Sequence, residues 1–76
     1  MDLLQILGRN VRDARIRRGM SQEALALEAD MKRSYVSDLE RGTRNPSVKA
    51  IERLAVALGV LPRDLVNIPD GAPWPP

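Results

Sequence analysis

The sequence predicts an all-α domain of five helices, and three observations predict it. Apolar residues recur at three- and four-residue intervals, as in Leu4, Leu7, Val11 and Ala14, which is the spacing of one helix face. Capping and stopping residues bracket these runs, with Asp2, Ser21 and Ser47 ahead and Gly19, Gly42 and Gly59 behind. The central stretch from Ser21 to Gly42 reads as two short helices joined by a tight turn, and the rest of the chain reads as their support.

The first helix should start at Asp2, because Asp2 with Gln5 three residues on forms a capping box. Its buried stripe is Leu4, Leu7, Val11 and Ala14. Gly19 stops it, with Arg17 and Arg18 set against the helix dipole. Arg15 lies beside the stripe and calls for a carboxylate partner, while Ile16 falls off it. Ser21 caps the second helix, whose inner face is Leu25, Ala26 and Ala29; Leu27 points elsewhere. That helix ends near Asp30, which must take the left-handed conformation a sharp turn needs.

The third helix is expected from about Lys32 to Arg41, with Gly42 just beyond it. Val36, Leu39 and Glu40 make its inner face, with Met31 plugging the core from the turn. Ser34, Ser37, Asp38 and Arg41 cluster on the opposite side, flanked by Arg33 and Tyr35. An acidic Glu40 on an inner face needs a partner, and Arg15 is the candidate. Two short helices with a polar, arginine-bearing face on the second are the layout that places a helix in the DNA major groove. After a loop at Thr43 to Pro46, Ser47 caps a fourth helix with Val48, Ile51, Leu54, Ala55 and Leu58 on one face, ending at Gly59. Pro62 begins a short fifth helix over Arg63 to about Asn67, with Leu65 and Val66 closing the core. Residues 1–68 thus form the domain. Residues 69–76 form a Pro-rich tail, expected to be disordered unless Trp74 folds back as a latch.

Composition narrows the function. Seventy-six residues make one domain, and a domain of this size buries only about 60% of its unfolded surface. There is no Cys and no His, which excludes Cys or His metal sites, thiol chemistry and histidine acid–base catalysis. With no glycine-rich phosphate loop and no room for a concave pocket, no enzyme activity, cofactor or metal is expected. The absence of disulfides fits a reducing compartment. No signal peptide and no membrane span are read, so a cytoplasmic, nucleoid-associated protein is expected. Between Arg9 and Arg53 there are 11 basic and 7 acidic residues, whereas the ends carry Arg63 against Asp2, Asp64 and Asp70. Such a centrally basic surface suits a polyanion, although an Arg-rich solvated surface has the same composition.

Several segments, in order and at these spacings, carry a resemblance: Leu7-Gly8, Arg15 to Gly19, Ser21-Gln22-Glu23, Leu25-Ala26, Tyr35-Val36-Ser37, Leu39-Glu40-Arg41-Gly42, Arg44-Asn45-Pro46-Ser47, and Leu54-Ala55 through Leu58-Gly59-Val60. The sequence resembles the Cro/CI-type helix-turn-helix family of bacterial and phage regulators, also called the xenobiotic-response-element family. The resemblance implies a compact lambda-repressor-like bundle, a second helix crossing the phosphate backbone, a third helix in the major groove, and an Arg15–Glu40 pair inside the core. Family members usually carry Gly where this chain has Asp30, and Ser or Thr where it has Lys32. The turn is therefore expected to be slightly strained and the third helix to lack a side-chain cap.

The interface that follows has two sets of residues. Gln22, whose family counterpart clamps a phosphate, joins Lys32, Tyr35, Arg41, Arg44 and Asn45 as phosphate contacts. Tyr35 has partial core packing as its alternative role, and Arg41 has the helix dipole. Arg33, Ser34, Ser37 and Asp38 face the bases. Arg33 suits guanine O6 and N7, and the serines permit close approach. Asp38 either accepts from cytosine N4, buttresses Arg33 or Arg41, or excludes a wrong phosphate register. One helix reads too few base pairs for a unique site, so a homodimer on a palindromic double-stranded operator is expected, with Leu61, Ile68 and Val60 available as a dimer patch. The resulting expectation is a transcriptional regulator acting as a repressor bound at an operator. The alternatives are an antitoxin or restriction–modification controller of its own operon, or a domain reused as a protein adaptor through Ile16 and Leu27.

Overall fold

In the computed structural model, which describes residues 1–76, Asp2 caps α1 (Leu3–Arg17). Its carboxylate accepts from the Gln5 backbone N–H, and the Gln5 side chain accepts from the Asp2 N–H, both at 2.9 Å. Then follow α2 (Gln22–Glu28), α3 (Arg33–Glu40), α4 (Val48–Leu58) and α5 (Pro62–Leu65). Ser21 and Ser47 cap α2 and α4 by accepting from Ala24 and Ala50. α2 and α3 pack on each other, and α1 packs against α3, α4 and α5. Leu25, Leu39, Leu54, Leu65, Val11 and Val36 fill the centre.

Helix endings set the sharp turns. At the end of α3 the Thr43 N–H donates to the Asp38 carbonyl and the Gly42 N–H to that of Leu39, both at 3.0 Å. This closure needs a residue of positive φ at its apex, and Gly42 supplies +76°. The turn between α2 and α3 uses the same pattern, with Met31 N–H donating to Ala26 and Asp30 N–H to Leu27. Its apex is Asp30 at φ +55°, the one non-glycine residue with positive φ. A side chain is strained there by about 1–2 kcal/mol relative to right-handed backbone. Lys32 precedes α3 in extended backbone and makes no side-chain cap.

Several element-level expectations are corrected. The buried arc of α1 is Ile6, Leu7, Gly8, Val11 and Ala14, while Leu4 is only half-buried. Three helices cover α1, so more than one stripe is enclosed. Val48 is 84% exposed. At about 100° per residue it lies roughly 120° around α4 from Leu54, and Ala50 and Ala57 complete the inner face instead. The fifth helix is shorter than expected and Val66 lies outside it, 38% exposed, with Leu65 alone sealing the core. Arg18 does not stay with its own helix end: its Nη1 donates to the Leu58 carbonyl at the end of α4, at 3.4 Å.

The chain after α5 is tied to α1 by Asn10, whose Nδ2 donates to the Leu65 and Asn67 carbonyls, both at 2.9 Å. Beyond it there is a turn closed by Ala72 N–H on the Pro69 carbonyl, no helix, and a half-exposed Trp74. Leu61 is half exposed, Ile68 half-buried, and Val60 packs against the core. No helix is long and apolar enough to cross a membrane.

Candidate nucleic-acid interface

α3 is amphipathic because its eight residues place Val36 and Leu39 inward and leave Ser34, Ser37 and Asp38 on the other side, with Arg33 at its edge. Arg33 and Ser34 are exposed, and Ser37 and Asp38 are half-buried. Arg33 is at the start of the helix and forms no ion pair, so its guanidinium is available to an outside acceptor. Lys32 is exposed immediately before it, and Arg41, Arg44 and Asn45 are exposed immediately after α3. Four cations therefore border one eight-residue helix, two at each end.

The position of α3 is set from inside. Arg15 meets Glu40 through two parallel bonds, Nε to Oε2 at 2.7 Å and Nη2 to Oε1 at 3.0 Å. This fork-to-carboxylate geometry is the strong form of the pair. Arg15 Nη1 also donates to the Met20 carbonyl at 2.9 Å. The Glu40 side chain is 4% exposed and that of Arg15 is 13% exposed. Donating these hydrogen bonds to Glu40 raises the pKa of the Arg15 guanidinium above its ordinary value, against the downward pull of burial and with the added attraction of the carboxylate charge.

Gln22 belongs to this network. Its Nε2 donates to Glu40 Oε1 at 3.1 Å, which fixes the carboxamide at the start of α2 next to N–H groups that no helix carbonyl satisfies. One amide hydrogen is thus already engaged, leaving the second and the backbone donors for an outside acceptor. No local pattern signals this tether, because Gln22 and Glu40 are 18 residues apart.

Asp38 does not approach Arg33. Its Oδ1 pairs with Arg41 Nη2, and its Oδ2 accepts from Arg44 Nη2 at 3.5 Å. Arg44 lies over the Tyr35 ring, 4.6 Å from its centroid, within the range of a cation–π contact. Tyr35 itself is half-buried and packs on the core. Thr43, read from the sequence only as loop, also donates from Oγ1 to the Asp38 carbonyl at 3.0 Å. The signal available for it was a hydroxyl directly after the stopping Gly42, where it can cap the last turn. Asp38, Arg41, Arg44 and Tyr35 are thus brought together, while Arg33 and Lys32 stand apart at the other end of α3.

Residues 11–65 match the family model described as helix-turn-helix. The chain is 51% identical over 63 residues to the control protein C.BamHI of Bacillus amyloliquefaciens, covering 82% of this chain and 78% of that protein. Among solved structures it resembles the restriction-modification controller protein C.AhdI from Aeromonas hydrophila, with a TM-score of 0.80 and 45% identity over 82% of this chain and 94% of the other. It also resembles the controller protein C.Esp1396I, solved as a tetramer with its natural 35 base-pair operator. There the TM-score is 0.76 and the identity 33%, with 80% of each chain covered. With its helix order, its buried Arg15–Glu40 fork and its polar α3 face, the chain belongs to the Cro/CI-type helix-turn-helix family.

Proposed function

We propose that this protein is a sequence-specific double-stranded DNA-binding transcriptional regulator that lays α3 in the major groove of an operator. The observation that carries the reading is the outer face of α3, bordered by Lys32, Arg33, Arg41 and Arg44 and held in place from behind by the Arg15–Glu40 fork. Phosphates attract the cations and fix the register. Arg33, with Ser34 and Ser37 beside it, meets the base edges. Gln22, Lys32, Tyr35, Arg41, Arg44 and Asn45 hold the backbone. The protein acts as a homodimer on a palindromic site, because a single eight-residue helix spans too few base pairs for a unique operator. Half-exposed Leu61 and partly exposed Val66 beside α5 offer apolar surface for pairing.

Within this class, the reading best supported is a restriction–modification controller. The observation favouring it is the 51% identity to a control protein of matching length, together with the 94% coverage of a controller structure.

Selection of bound sites from a random duplex pool tests the main reading. The expected product is a palindrome with half-sites about one DNA turn, ~34 Å, apart; no enrichment, with weak binding that fades steeply with salt, would refute sequence specificity. On the selected site Arg33→Ala is expected to lose ~1–3 kcal/mol and to relax preference at one base pair. An equal loss on random duplex would reassign Arg33 to the backbone. Lys32→Ser is expected to raise the melting temperature by restoring a side-chain cap, worth about 1 kcal/mol, and to weaken DNA binding by removing a phosphate contact. A variant that gains on both measurements would show that Lys32 never touches DNA.

A further inference from the structure

Asp38 is the one carboxylate on the outer face of α3, and it engages two of the four surrounding cations. Arg41 and Arg44 come to it from the chain beyond the helix, one on each oxygen. The Asp38 carbonyl meanwhile accepts from Thr43 N–H and Oγ1 at 3.0 Å, which fixes the backbone that carries the carboxylate. We infer that Asp38 is a specificity-determining residue that works as a resident competitor for phosphate. It occupies the guanidinium groups of Arg41 and Arg44 until backbone phosphates in the correct register displace it. This inference rests on the DNA-binding reading.

A carboxylate and a phosphate offer a guanidinium the same kind of paired oxygen acceptor, so one can replace the other. The exchange is easy because these pairs are wet. The side chains of Arg41 and Arg44 are 65% and 43% exposed and that of Asp38 is 31% exposed, and exposed ion pairs are weak. The 3.5 Å contact to Arg44 is at the limit of a hydrogen bond, too loose for a rigid brace. The buried fork of Arg15 and Glu40 shows what bracing looks like in this fold. On random duplex α3 has no fixed seat. Each arginine then meets phosphate singly, against its resident carboxylate and with the like charge of Asp38 nearby. On a cognate site the contacts of Arg33 and the serines seat α3, and phosphates reach both arginines together. Asp38 therefore lowers non-specific affinity more than specific affinity, and its removal narrows the ratio between them.

The experiment uses the full chain and its Asp38→Asn variant, titrated against the selected operator and a random duplex across a salt series. Affinity for random duplex is expected to rise about threefold to tenfold, and the slope of log K against log salt to steepen by about 1–2, close to 0.9 for each phosphate newly engaged. The operator-to-random ratio falls accordingly. In an Arg41→Ala, Arg44→Ala background the same substitution should give no gain. Glu52→Gln removes one charge from a carboxylate paired with Lys49 on α4 and should leave the ratio unchanged. Random-duplex affinity that stays level or drops in Asp38→Asn, with an unaltered salt slope, would overturn the inference and make Asp38 a brace or a base reader. A gain that persists without the two arginines, or one equalled by Glu52→Gln, would also overturn it by reducing the effect to net charge. Wild-type protein that binds neither duplex would instead remove the DNA-binding reading itself, which the same titration reports separately.

Discussion

Glu40→Ala is expected to destabilise the fold by about 3–5 kcal/mol, the range seen when one partner of a buried ion pair is removed. A 76-residue domain has roughly 4–11 kcal/mol in total at 0.05–0.15 kcal/mol per residue, so the variant forfeits at least about a quarter of that margin and, at the low end of the range, all of it. The loss is large because three donors lose one acceptor group: Arg15 Nε, Arg15 Nη2 and Gln22 Nε2 all point at the Glu40 carboxylate. Only Arg15 Nη1 keeps its partner, the Met20 carbonyl. Arginine cannot shed its proton in a protein, so the guanidinium stays charged with its side chain 13% exposed. Replacing both members with apolar residues, Arg15→Met with Glu40→Leu, should recover most of the loss, because the penalty comes from the orphaned charge and not from the missing attraction. Urea melts of the wild type and the two variants at equal m-value provide the check. A double variant as unstable as Glu40→Ala would mean that the pair itself contributes the stability.

The same pair shows what could be read in the sequence. Glu40 falls on the inner face of an amphipathic stretch and Arg15 beside another, and an unpaired buried charge is expensive enough to demand a partner. Caps and stops were equally readable, because Asp2, Ser21, Ser47 and Gly42 act on backbone only a few residues away. Even the strain at Asp30 follows from the shortness of the turn. Contacts that join distant segments left no local trace. Nothing in the periodicity indicated that Asn10 would hold the end of α5, that Arg18 would reach α4, or that Arg44 would join Arg41 on Asp38; the Asp38–Arg41 pair, three residues apart, was readable as one of the roles open to Asp38. Burial at helix edges departs from the periodicity for a related reason. A single 3.6-residue stripe describes a helix covered on one side, whereas α1 is covered by three neighbours and so buries Ile6 and Gly8 as well.

Gly8 is where that enclosure has its largest consequence. In a helix interior, replacing glycine by alanine ordinarily stabilises by about 1 kcal/mol through propensity. Here a Cβ on residue 8 would lie 2.3 Å from the Leu39 carbonyl oxygen and 2.9 Å from that of Glu40. Both obstacles are backbone atoms in the last turn of α3, so no side-chain rotation can relieve the contact. α1 and α3 must separate or α3 must shift. Overpacking of this kind typically costs 1–3 kcal/mol and occasionally more, and with two backbone oxygens involved the upper end applies. The clash outweighs propensity, and Gly8→Ala is expected to lose about 2–3 kcal/mol net, or roughly 10–20 °C in melting temperature for a domain of this size. A thermal melt decides between the two effects by sign. A melting temperature that rises would mean that α1 and α3 do not cross this closely. One that falls would tie the glycine to the seating of α3, since the carbonyls it spares belong to Leu39, which anchors α3 in the core, and to Glu40, which holds both Arg15 and Gln22. DNA affinity of the folded fraction should fall as well, because a displaced α3 carries Arg33 and Asp38 with it.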